Sequence, residues 1–340
     1  MNEKDLYGTV SALMQEGKGI LAADESDATA GKRLEIAGLP NQSGNRQDFR
    51  EILFTAPGIE EYLSGVILYD SSLRESTDQG VPFVDVLAAR GIVPGIKVDK
   101  GTKPIPGLPL EVVSQGLDDL DERLHEYHTL GARFTKWRAV VTIADDIPTD
   151  ECLRLNAVML AVYALRAQEA GLVPIIEPEV MFPGGHSIQR AEAVTTRTLQ
   201  ILFEAMQQYH VDLKGLILKS SMVLAGDTHK EPSSPAEVAA ATLRTFHLGV
   251  PREVGGIVFL SGGQTPKRAT ENLDAIAKFG KQAWPITFSY SRAIQEPMLV
   301  AWQGKPENIG NAQKALLHRL KMNSLAQLGK YDASQDSEKA

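Results

Sequence analysis

The sequence predicts an α/β fold, specifically a single (β/α)8 TIM barrel with parallel strands. Eight short apolar runs recur along the 340 residues, and stretches with the periodicity of amphipathic helices separate most of them. Strands that alternate with helices in this way form a parallel sheet. We find neither a glycine-rich dinucleotide turn nor a phosphate-binding P-loop, so a closed barrel is favoured over an open doubly wound sheet.

The eight predicted strands are followed by recognisable helix signals. The strands cover residues 19–24, 65–70, 93–98, 134–140, 173–180, 215–222, 256–261 and 285–291. Ser234 to Glu237 has the pattern of a capping box with a proline at the first helical position, and Thr265 precedes another such proline. Residues 27–61 are too many for one βα unit and predict more than one helix. We expect residues 1–330 to form one catalytic domain and residues 331–340 to form a mobile polar tail.

The composition is that of an ordinary globular protein, with 43% hydrophobic and 23% charged residues. A formal net charge of −8 argues against binding to nucleic acid or to acidic membranes. The single cysteine, Cys152, excludes an intramolecular disulfide and any cysteine-rich metal site. No apolar run has the length of a membrane span, and the N-terminus lacks the apolar region of a signal peptide. These features predict a cytoplasmic protein.

Lys219 is the candidate nucleophile. An apolar run delivers it to the end of the sixth predicted strand, and the small polar residues Ser220 and Ser221 follow. A lysine with its usual pKa of about 10.4 is protonated at neutral pH and cannot attack a carbonyl. Burial beside other cations lowers that pKa and activates Schiff-base lysines. A lone lysine could equally end a strand and reach solvent, so its neighbours decide between the two interpretations.

Charged side chains stand at the ends of several other predicted strands, where the active site of a TIM barrel lies. They are Asp24, Lys97, Lys136, Arg138, Glu177 and Glu179. Residues two apart on a strand share a face, so Lys136 and Arg138 point the same way, as do Glu177 and Glu179. A purely structural charge lattice explains any one pair. Five strands with charges at the same end favour a catalytic site.

These charges can carry a retro-aldol reaction that needs no metal. Lys219 would attack a ketone, and like-charge repulsion from Lys136 would disfavour its protonation. Glu177 would transfer the protons that carbinolamine formation and dehydration require, with Glu179 as its partner. Asp24 would act as the base on the hydroxyl of the reaction partner. The protonated imine then accepts the electrons of the bond that breaks.

The last two βα loops predict a phosphate site. Gly262 and Gly263 follow the seventh predicted strand, and Arg292 follows the eighth. In TIM barrels the backbone N–H groups of these loops often hold phosphate, and an arginine can clamp it bidentately. A glycine pair alone is more often a simple turn. The arginine at this place in the order favours phosphate.

The histidines give no metal signal, and no cofactor is predicted. His125 and His128 are spaced i, i+3 on a predicted amphipathic helix, where a solvated face is the simpler interpretation. His186 and His229 fall in loops after the fifth and sixth strands and could contact a ligand. A metal-dependent aldol mechanism therefore has little support from the sequence.

The chain resembles the class I, or Schiff-base, fructose-bisphosphate aldolases, from about residue 17 to residue 331. The matching motifs are GKGILAADES at 17–26, GIKVDKG at 95–101, KWR at 136–138, EPE at 177–179, LK at 218–219, FLSGGQ at 259–264 and FSY at 288–290. Several long motifs in the right order make the resemblance specific.

The resemblance implies reversible cleavage of fructose 1,6-bisphosphate to dihydroxyacetone phosphate and glyceraldehyde 3-phosphate, usually by a homotetramer. By the family pattern Lys219 forms the Schiff base, Glu177 transfers protons, Asp24 handles the hydroxyl at the cleaved bond and Lys136 stabilises developing charge.

The resemblance also implies two phosphate-binding regions. The residues assigned to one phosphate are Ser261, Gly262 and Arg292, and those assigned to the other end of the sugar are Lys97, Arg138 and Arg33. Ser26 and Ser291 are further phosphate-binding candidates.

The chain departs from the family pattern at four places. Ser220 and Ser221 follow the lysine where the family usually has proline and asparagine. After Ser26 the chain has Asp27, Ala28 and Thr29 (27–29) in place of a threonine-glycine-serine stretch, so Thr29 could replace a phosphate-binding serine. Ser291 stands where a glycine often precedes the arginine. The chain lacks the C-terminal tyrosine that assists proton exchange in many members, so either Tyr331 or another group substitutes or that step is slower. These changes bear on efficiency and substrate range more than on reaction type.

Two alternatives stay open at this point. One is a Schiff-base barrel enzyme for another phosphosugar, such as fructose 1-phosphate or sedoheptulose 1,7-bisphosphate, or for transaldolase-type transfer. The other is a catalytically silent protein that binds sugar phosphates or acts as a scaffold. The presence of Lys219, Glu177 and Asp24 argues against the second, because binding alone does not need a nucleophile.

Overall fold

A computed structural model describes residues 3–336 and contains the predicted barrel. Its strands are β1 Gly19–Ala23, β2 Leu63–Leu68, β3 Val93–Lys97, β4 Thr102–Ile105, β5 Leu108–Ser114, β6 Phe134–Val141, β7 Val173–Val180, β8 Ile217–Ser220, β9 Gly256–Phe259 and β10 Ile286–Phe288. Eight of these form one parallel sheet in the order β1-β2-β3-β6-β7-β8-β9-β10. The Ala22 amide donates to the Tyr290 carbonyl at 2.9 Å, which joins the first strand to the last. All eight predicted strands and the parallel barrel are therefore confirmed.

Helices surround the sheet in the alternating order that the sequence predicts. They are α1 Glu3–Leu13, α2 Asp27–Leu34, α3 Ser43–Thr55, α4 Asp70–Arg74, α5 Phe83–Ala89, α6 Leu120–Thr129, α7 Asp150–Glu169, α8 Ile188–Gln208, α9 Pro235–Gly249, α10 Pro266–Ala277, α11 Arg292–Trp302 and α12 Ile309–Gln327. The capping box at Ser234 and the cap at Thr265 are both present. The insertion at 27–61 contains α2 and α3, as expected. Within residues 3–336, none of the helices combines the length and the apolar character needed to span a bilayer.

The barrel interior is apolar at its N-terminal end, where α1 covers it. Leu6, Val10 and Leu13 of α1 pack against inward-facing side chains of the strands, among them Phe134. A Cβ placed on Gly95 would lie 2.3 Å from the Phe134 ring, so a glycine is required where that ring fills the barrel. Each large apolar side chain buried here contributes about 1.5–3 kcal/mol to the free energy of unfolding. Because the N-terminal end is filled, the polar chemistry is confined to the C-terminal ends of the strands.

The hairpin β4–β5 is the main element that the sequence did not predict. Its prolines disfavour a strand assignment, because proline cannot donate to a strand ladder. The hairpin is fixed by contacts with distant residues instead. Buried Glu111 accepts hydrogen bonds from the amide and the hydroxyl of Thr149, both at 2.7 Å. Asn156 donates to the Val112 carbonyl at 2.8 Å, which ties the hairpin to α7.

The C-terminal segment, for which we predicted a mobile polar tail, makes buried contacts within residues 331–336. Tyr331 and Asp336 are buried, and the Tyr331 hydroxyl donates to the Asp336 carboxylate at 2.7 Å. The same carboxylate pairs with buried Arg319 and lies 3.0 Å from Nε2 of His318, both on α12. Residues 331–336 thus dock on α12 because a buried arginine needs an anion, which composition does not reveal. Residues 337–340 lie outside the described residues.

Candidate active site

Four side chains, three on barrel strands and one just after β1, meet in one ion-pair chain towards the C-terminal end of the barrel. The Lys219 ammonium lies 3.2 Å from Oε1 of Glu177, and the Lys136 ammonium lies 2.7 Å from Oε2 of the same carboxylate. Lys136 also donates to Oδ2 of Asp24 at 2.7 Å. Lys219, Glu177 and Lys136 are each at most 4% exposed. The structure therefore brings together the four residues that the sequence singles out for the chemistry.

The charges of this cluster are held by their neighbours. Burial alone would raise the pKa of Asp24, but the ammonium groups of Lys136 and Lys219 outweigh burial and hold it well below its usual value. Burial alone would also raise the pKa of Glu177. The same two lysines outweigh burial, so the pKa of Glu177 is lowered as well. Burial alone would lower the pKa of Lys136, yet the carboxylates of Asp24 and Glu177 raise it. Lys136 is thus a permanent cation between two anions.

The lowered pKa values predict that Asp24 and Glu177 stay ionised throughout pH 5–8. A carboxyl group whose pKa is lower in the folded than in the unfolded protein adds stability above the unfolded pKa. That stability is lost only as the pH falls through the folded pKa. The ordinary values are 3.8 and 4.5, so both losses lie below about pH 4.5.

Carboxyl ¹³C shifts of labelled protein, assigned with Asp24→Asn and Glu177→Gln, test this prediction. We expect both shifts to be constant between pH 5 and 8. A titration of either group with a midpoint above pH 5 would contradict the charge assignment.

A second polar group lines a cleft of about 690 Å³ next to this cluster. Arg138 pairs with Glu179, the residue that we predicted as the partner of Glu177 in proton transfer. Lys97 pairs with Asp99 at 2.8 Å, and the Arg138 amide donates to the other Asp99 oxygen at 3.1 Å. Lys97, Arg138 and Ser26 all face this cleft, as does Asp24.

Asp99 was not among the predicted site residues. Its position two residues beyond Lys97, at the end of β3, is the signal that could have indicated it.

The predicted phosphate loop follows β9 and Arg292 follows β10, whereas the cleft is lined by residues that follow β1, β2 and β3 and by Lys136 and Arg138 of β6. Gly262 and Gly263 both have positive φ, at 58° and 96°, a conformation that favours glycine. A Cβ on Gly263 would lie 3.4 Å from Nη2 of Arg292, so the glycine lets the guanidinium approach the backbone. Ser261 is buried next to this turn.

Three of the predicted phosphate-binding residues are engaged differently from what the sequence suggested. The Ser291 hydroxyl donates to Oε1 of Glu25 at 2.6 Å. Ser26 caps α2, where its hydroxyl accepts from the Thr29 amide at 3.4 Å. Arg33, assigned to the end of the sugar with Lys97 and Arg138, pairs with Glu296 of α11 at 3.4 Å.

Arg33 is in fact a neighbour of Arg292. Burial and the nearby positive charge of Arg292 lower the pKa of Arg33, although Glu25 and Glu296 oppose them.

Ser289 is a candidate that the sequence analysis did not select. Its hydroxyl is buried at the end of β10 and has no hydrogen-bond partner among the described residues. Ser289 and Ser291 are two residues apart, so alternation alone could not decide which of them serves the site. The structure separates them, because Ser291 is held by Glu25 and Ser289 is not.

The departures from the family pattern have local explanations. The Ser221 hydroxyl donates to the Val180 carbonyl at 2.8 Å, and the Ser220 hydroxyl donates to the Ser221 carbonyl at 3.0 Å. Both hydroxyls therefore donate to backbone carbonyl groups. Asp27 accepts from Ser71 at 2.9 Å and lies 3.6 Å from Nε of Arg46, which offsets its negative charge.

Tyr331 and the histidines add no further group to the ion-pair chain. The Tyr331 hydroxyl is bound to Asp336. His186 is half-buried, and burial lowers its pKa. His229 contacts the backbone of Glu231, with its Nδ1 3.0 Å from the carbonyl oxygen. In the part of the chain that the structure describes, no three His, Cys, Asp or Glu side chains are arranged to hold a metal ion.

Comparisons with known proteins agree with this geometry. The family model described as "Glycolytic: Fructose-bisphosphate aldolase class-I" matches residues 5–340. A probable class 1 fructose-bisphosphate aldolase of Xanthomonas axonopodis pv. citri is 46% identical over 97% of this chain and 99% of its own length. Fructose-bisphosphate aldolase 2 of Caenorhabditis elegans is 46% identical over 96% of this chain and 90% of its own.

A solved structure gives the same result. It is fructose-bisphosphate aldolase from Plasmodium falciparum, in complex with TRAP and a small-molecule inhibitor, and it is 44% identical to this chain. It superposes with a TM-score of 0.95 over 97% of this chain and 95% of that one. With the barrel, the buried lysines and these relatives in agreement, the chain belongs to the class I fructose-bisphosphate aldolase family of glycolytic carbon–carbon lyases.

Proposed function

We propose that this protein cleaves fructose 1,6-bisphosphate reversibly through a Schiff base on Lys219. The observation that carries the proposal is the ion-pair chain of Lys219, Glu177, Lys136 and Asp24, buried where the strands end. A buried amine next to a carboxylate has a proton acceptor at hand, and Glu177 lies 3.2 Å from the Lys219 nitrogen. We propose residues 1–330 as one catalytic domain.

The first half of the reaction joins the substrate to the enzyme. The Lys219 amine attacks the ketone carbon and forms a carbinolamine, while Glu177 takes up and returns the protons. Loss of the hydroxyl as water then gives a protonated imine. Lys136 keeps Glu177 ionised and ready to accept a proton, because it supplies a fixed positive charge 2.7 Å away.

The second half breaks the carbon–carbon bond. Asp24 takes the proton of the hydroxyl on the carbon that becomes the aldehyde, and the electrons of the broken bond move into the imine to give an enamine. The aldehyde leaves, the enamine is protonated at carbon, and water hydrolyses the imine to release the second product and free Lys219. Asp24 is suited to this step because it is ionised and lies 2.7 Å from Lys136, which can stabilise the charge that develops.

Two cationic regions on opposite sides of the ion-pair chain support a substrate with a phosphate at each end. Lys97 and Arg138 line the cleft on one side, and Arg292 with the Gly262–Gly263 turn lies on the other. We propose Ser26 for the first region, and Ser261, Ser289 and Arg33 for the second. Fructose 1-phosphate would leave one region empty, so comparing the kcat/KM of the two substrates tests this assignment.

We further propose a cytoplasmic homotetramer that needs no cofactor and binds neither nucleic acid nor membranes. The net charge of −8 argues against binding to nucleic acid or to acidic membranes. Relatives include a cytosolic aldolase of Arabidopsis thaliana, although a chloroplastic aldolase of the same plant also matches. Light scattering on the purified protein measures the oligomeric state. A monomer or a dimer at micromolar concentration would contradict the tetramer.

Borohydride trapping tests the proposed chemistry. The protein is incubated with dihydroxyacetone phosphate and borohydride, with and without EDTA, and the adduct is mapped to a peptide by mass spectrometry. We expect one stable adduct on Lys219 in both samples. If dihydroxyacetone phosphate binds and leaves no adduct, the silent binding protein becomes the better description.

A further inference from the structure

A buried ionic cluster includes Ser291, the residue before Arg292, and lies outside the groups assigned to catalysis. The two oxygens of the Glu25 carboxylate accept hydrogen bonds from the Ser291 hydroxyl at 2.6 Å and from Nη1 of Arg50 at 2.9 Å. Nη2 of Arg50 also donates to the Glu25 carbonyl at 3.1 Å. Glu25 and Arg50 are both less than a tenth exposed. This Glu25 cluster (Glu25, Arg50 and Ser291) joins the end of β1, the helix α3 and the residue before α11.

Ser291 uses its hydroxyl differently from the other serines and threonines at helix starts. Thr149, Ser187, Ser234 and Thr265 each accept a hydrogen bond from a backbone amide in the first turn of their helix. Ser291 makes no such bond, and its hydroxyl donates to Glu25 instead. The contact therefore links the start of α11 to the end of β1 and does not cap the helix. Since Arg292 is the next residue, the contact also fixes where its side chain begins.

The cluster also binds the negative charge of Glu25, which lies close to the proposed phosphate site. The carboxylate of Glu25 and the guanidinium of Arg292 both lie near enough to Arg33 to act on it electrostatically. A free carboxylate at this place would compete with phosphate for the two arginines. Arg50 and Ser291 occupy both Glu25 oxygens, so the carboxylate is held by groups other than the phosphate-binding arginines.

We propose that Ser291, held by Glu25 and Arg50, is a positioning residue that fixes Arg292 for binding phosphate, and that its hydroxyl does not contact the phosphate itself. This inference rests on the proposed function, because it assigns Arg292 to a phosphate of the substrate. It makes the serine at this place a determinant of phosphate affinity that acts mainly through the neighbouring arginine.

The first test measures the affinity of the full-length protein for inorganic phosphate by isothermal titration calorimetry. We expect Ser291→Ala to raise the dissociation constant about three- to tenfold, the effect of losing one hydrogen bond. Ser291→Thr keeps the hydroxyl and should restore affinity to within about twofold of the unmodified chain. Ser234→Ala is the matched control, because it removes a serine hydroxyl from the start of another helix, α9, where that hydroxyl accepts from the Glu237 amide, and should leave phosphate binding unchanged. Unchanged affinity in Ser291→Ala would overturn the proposal.

A double-mutant cycle then separates positioning from direct contact. If Ser291 acts mainly through Arg292, Ser291→Ala will lower phosphate affinity much less in an Arg292→Ala background than in the unmodified chain. If the hydroxyl binds phosphate itself, the two losses will add, and the positioning role is refuted.

Trapping of Lys219 is measured in parallel with dihydroxyacetone phosphate at saturation. If no adduct forms in the unmodified chain, the proposed function is wrong. A normal adduct together with phosphate affinity that is unaffected by Ser291→Ala defeats only the role of the Glu25 cluster.

Discussion

Replacement of Lys219 by alanine or methionine is expected to abolish cleavage of fructose 1,6-bisphosphate. Without the amine no Schiff base forms, and the loss in kcat should be about 10⁵-fold or more, as for other enzymes that lose a covalent nucleophile. Methionine has nearly the length of lysine and suits an apolar interior, so Lys219→Met should keep the fold. Steady-state kinetics together with circular dichroism measure both quantities.

The matched control is Lys214→Met, which removes an exposed lysine just before the same strand. It should retain full activity. Residual turnover by Lys219→Ala at more than about a thousandth of the original rate would refute the assignment of the nucleophile. If the alanine variant does not fold, the methionine variant is the test, because its side chain fills the same space. In both variants Glu177 keeps Lys136 as an ion-pair partner.

Replacement of Glu177 by glutamine is expected to lower kcat by about 10²- to 10⁴-fold, the range for removal of a general acid–base. Glutamine keeps the shape of the side chain but can no longer take up a proton from the Lys219 amine or return one to the leaving hydroxyl. The same change removes the anion shared by Lys219 and Lys136. KM should change less than kcat, because Glu177 belongs to neither of the two cationic regions proposed to bind phosphate.

Glu179→Gln is the matched comparison, since it makes the same change two residues further along β7. Glu179 pairs with Arg138, so its loss should act mainly on substrate binding and raise KM more than it lowers kcat. If both variants lose kcat equally, Glu179 belongs to the proton-transfer machinery as the sequence had suggested. If only Glu179→Gln loses kcat, the assignment of Glu177 is wrong.

Much of the fold is already determined by local sequence patterns. Each barrel strand is a short apolar run that ends before a helix signal. A strand that is buried on both faces needs apolar side chains at successive positions, so the run can be recognised in the sequence. The capping box at Ser234 depends only on residues within one turn, so it could be predicted. The same applies to the ends of the strands, where Asp24, Lys136, Glu177 and Lys219 stand at the positions that a TIM barrel uses for chemistry.

What the sequence could not determine is how charged and polar side chains choose among several possible partners. Glu179 was equally available to Glu177 and to Arg138, and Ser291 was equally available to phosphate and to Glu25. Their choices depend on distances between residues far apart in the chain, such as the 266 positions that separate Glu25 from Ser291.

The docking of residues 331–336 has the same cause, because only the tertiary structure reveals a buried Arg319 that needs the Asp336 carboxylate. The sequence by itself determined the barrel and indicated the candidate reacting groups, since both follow from periodicity and strand order. The tertiary structure decided which anion neutralises each buried cation, because a charge removed from water must be paired wherever the fold places a partner.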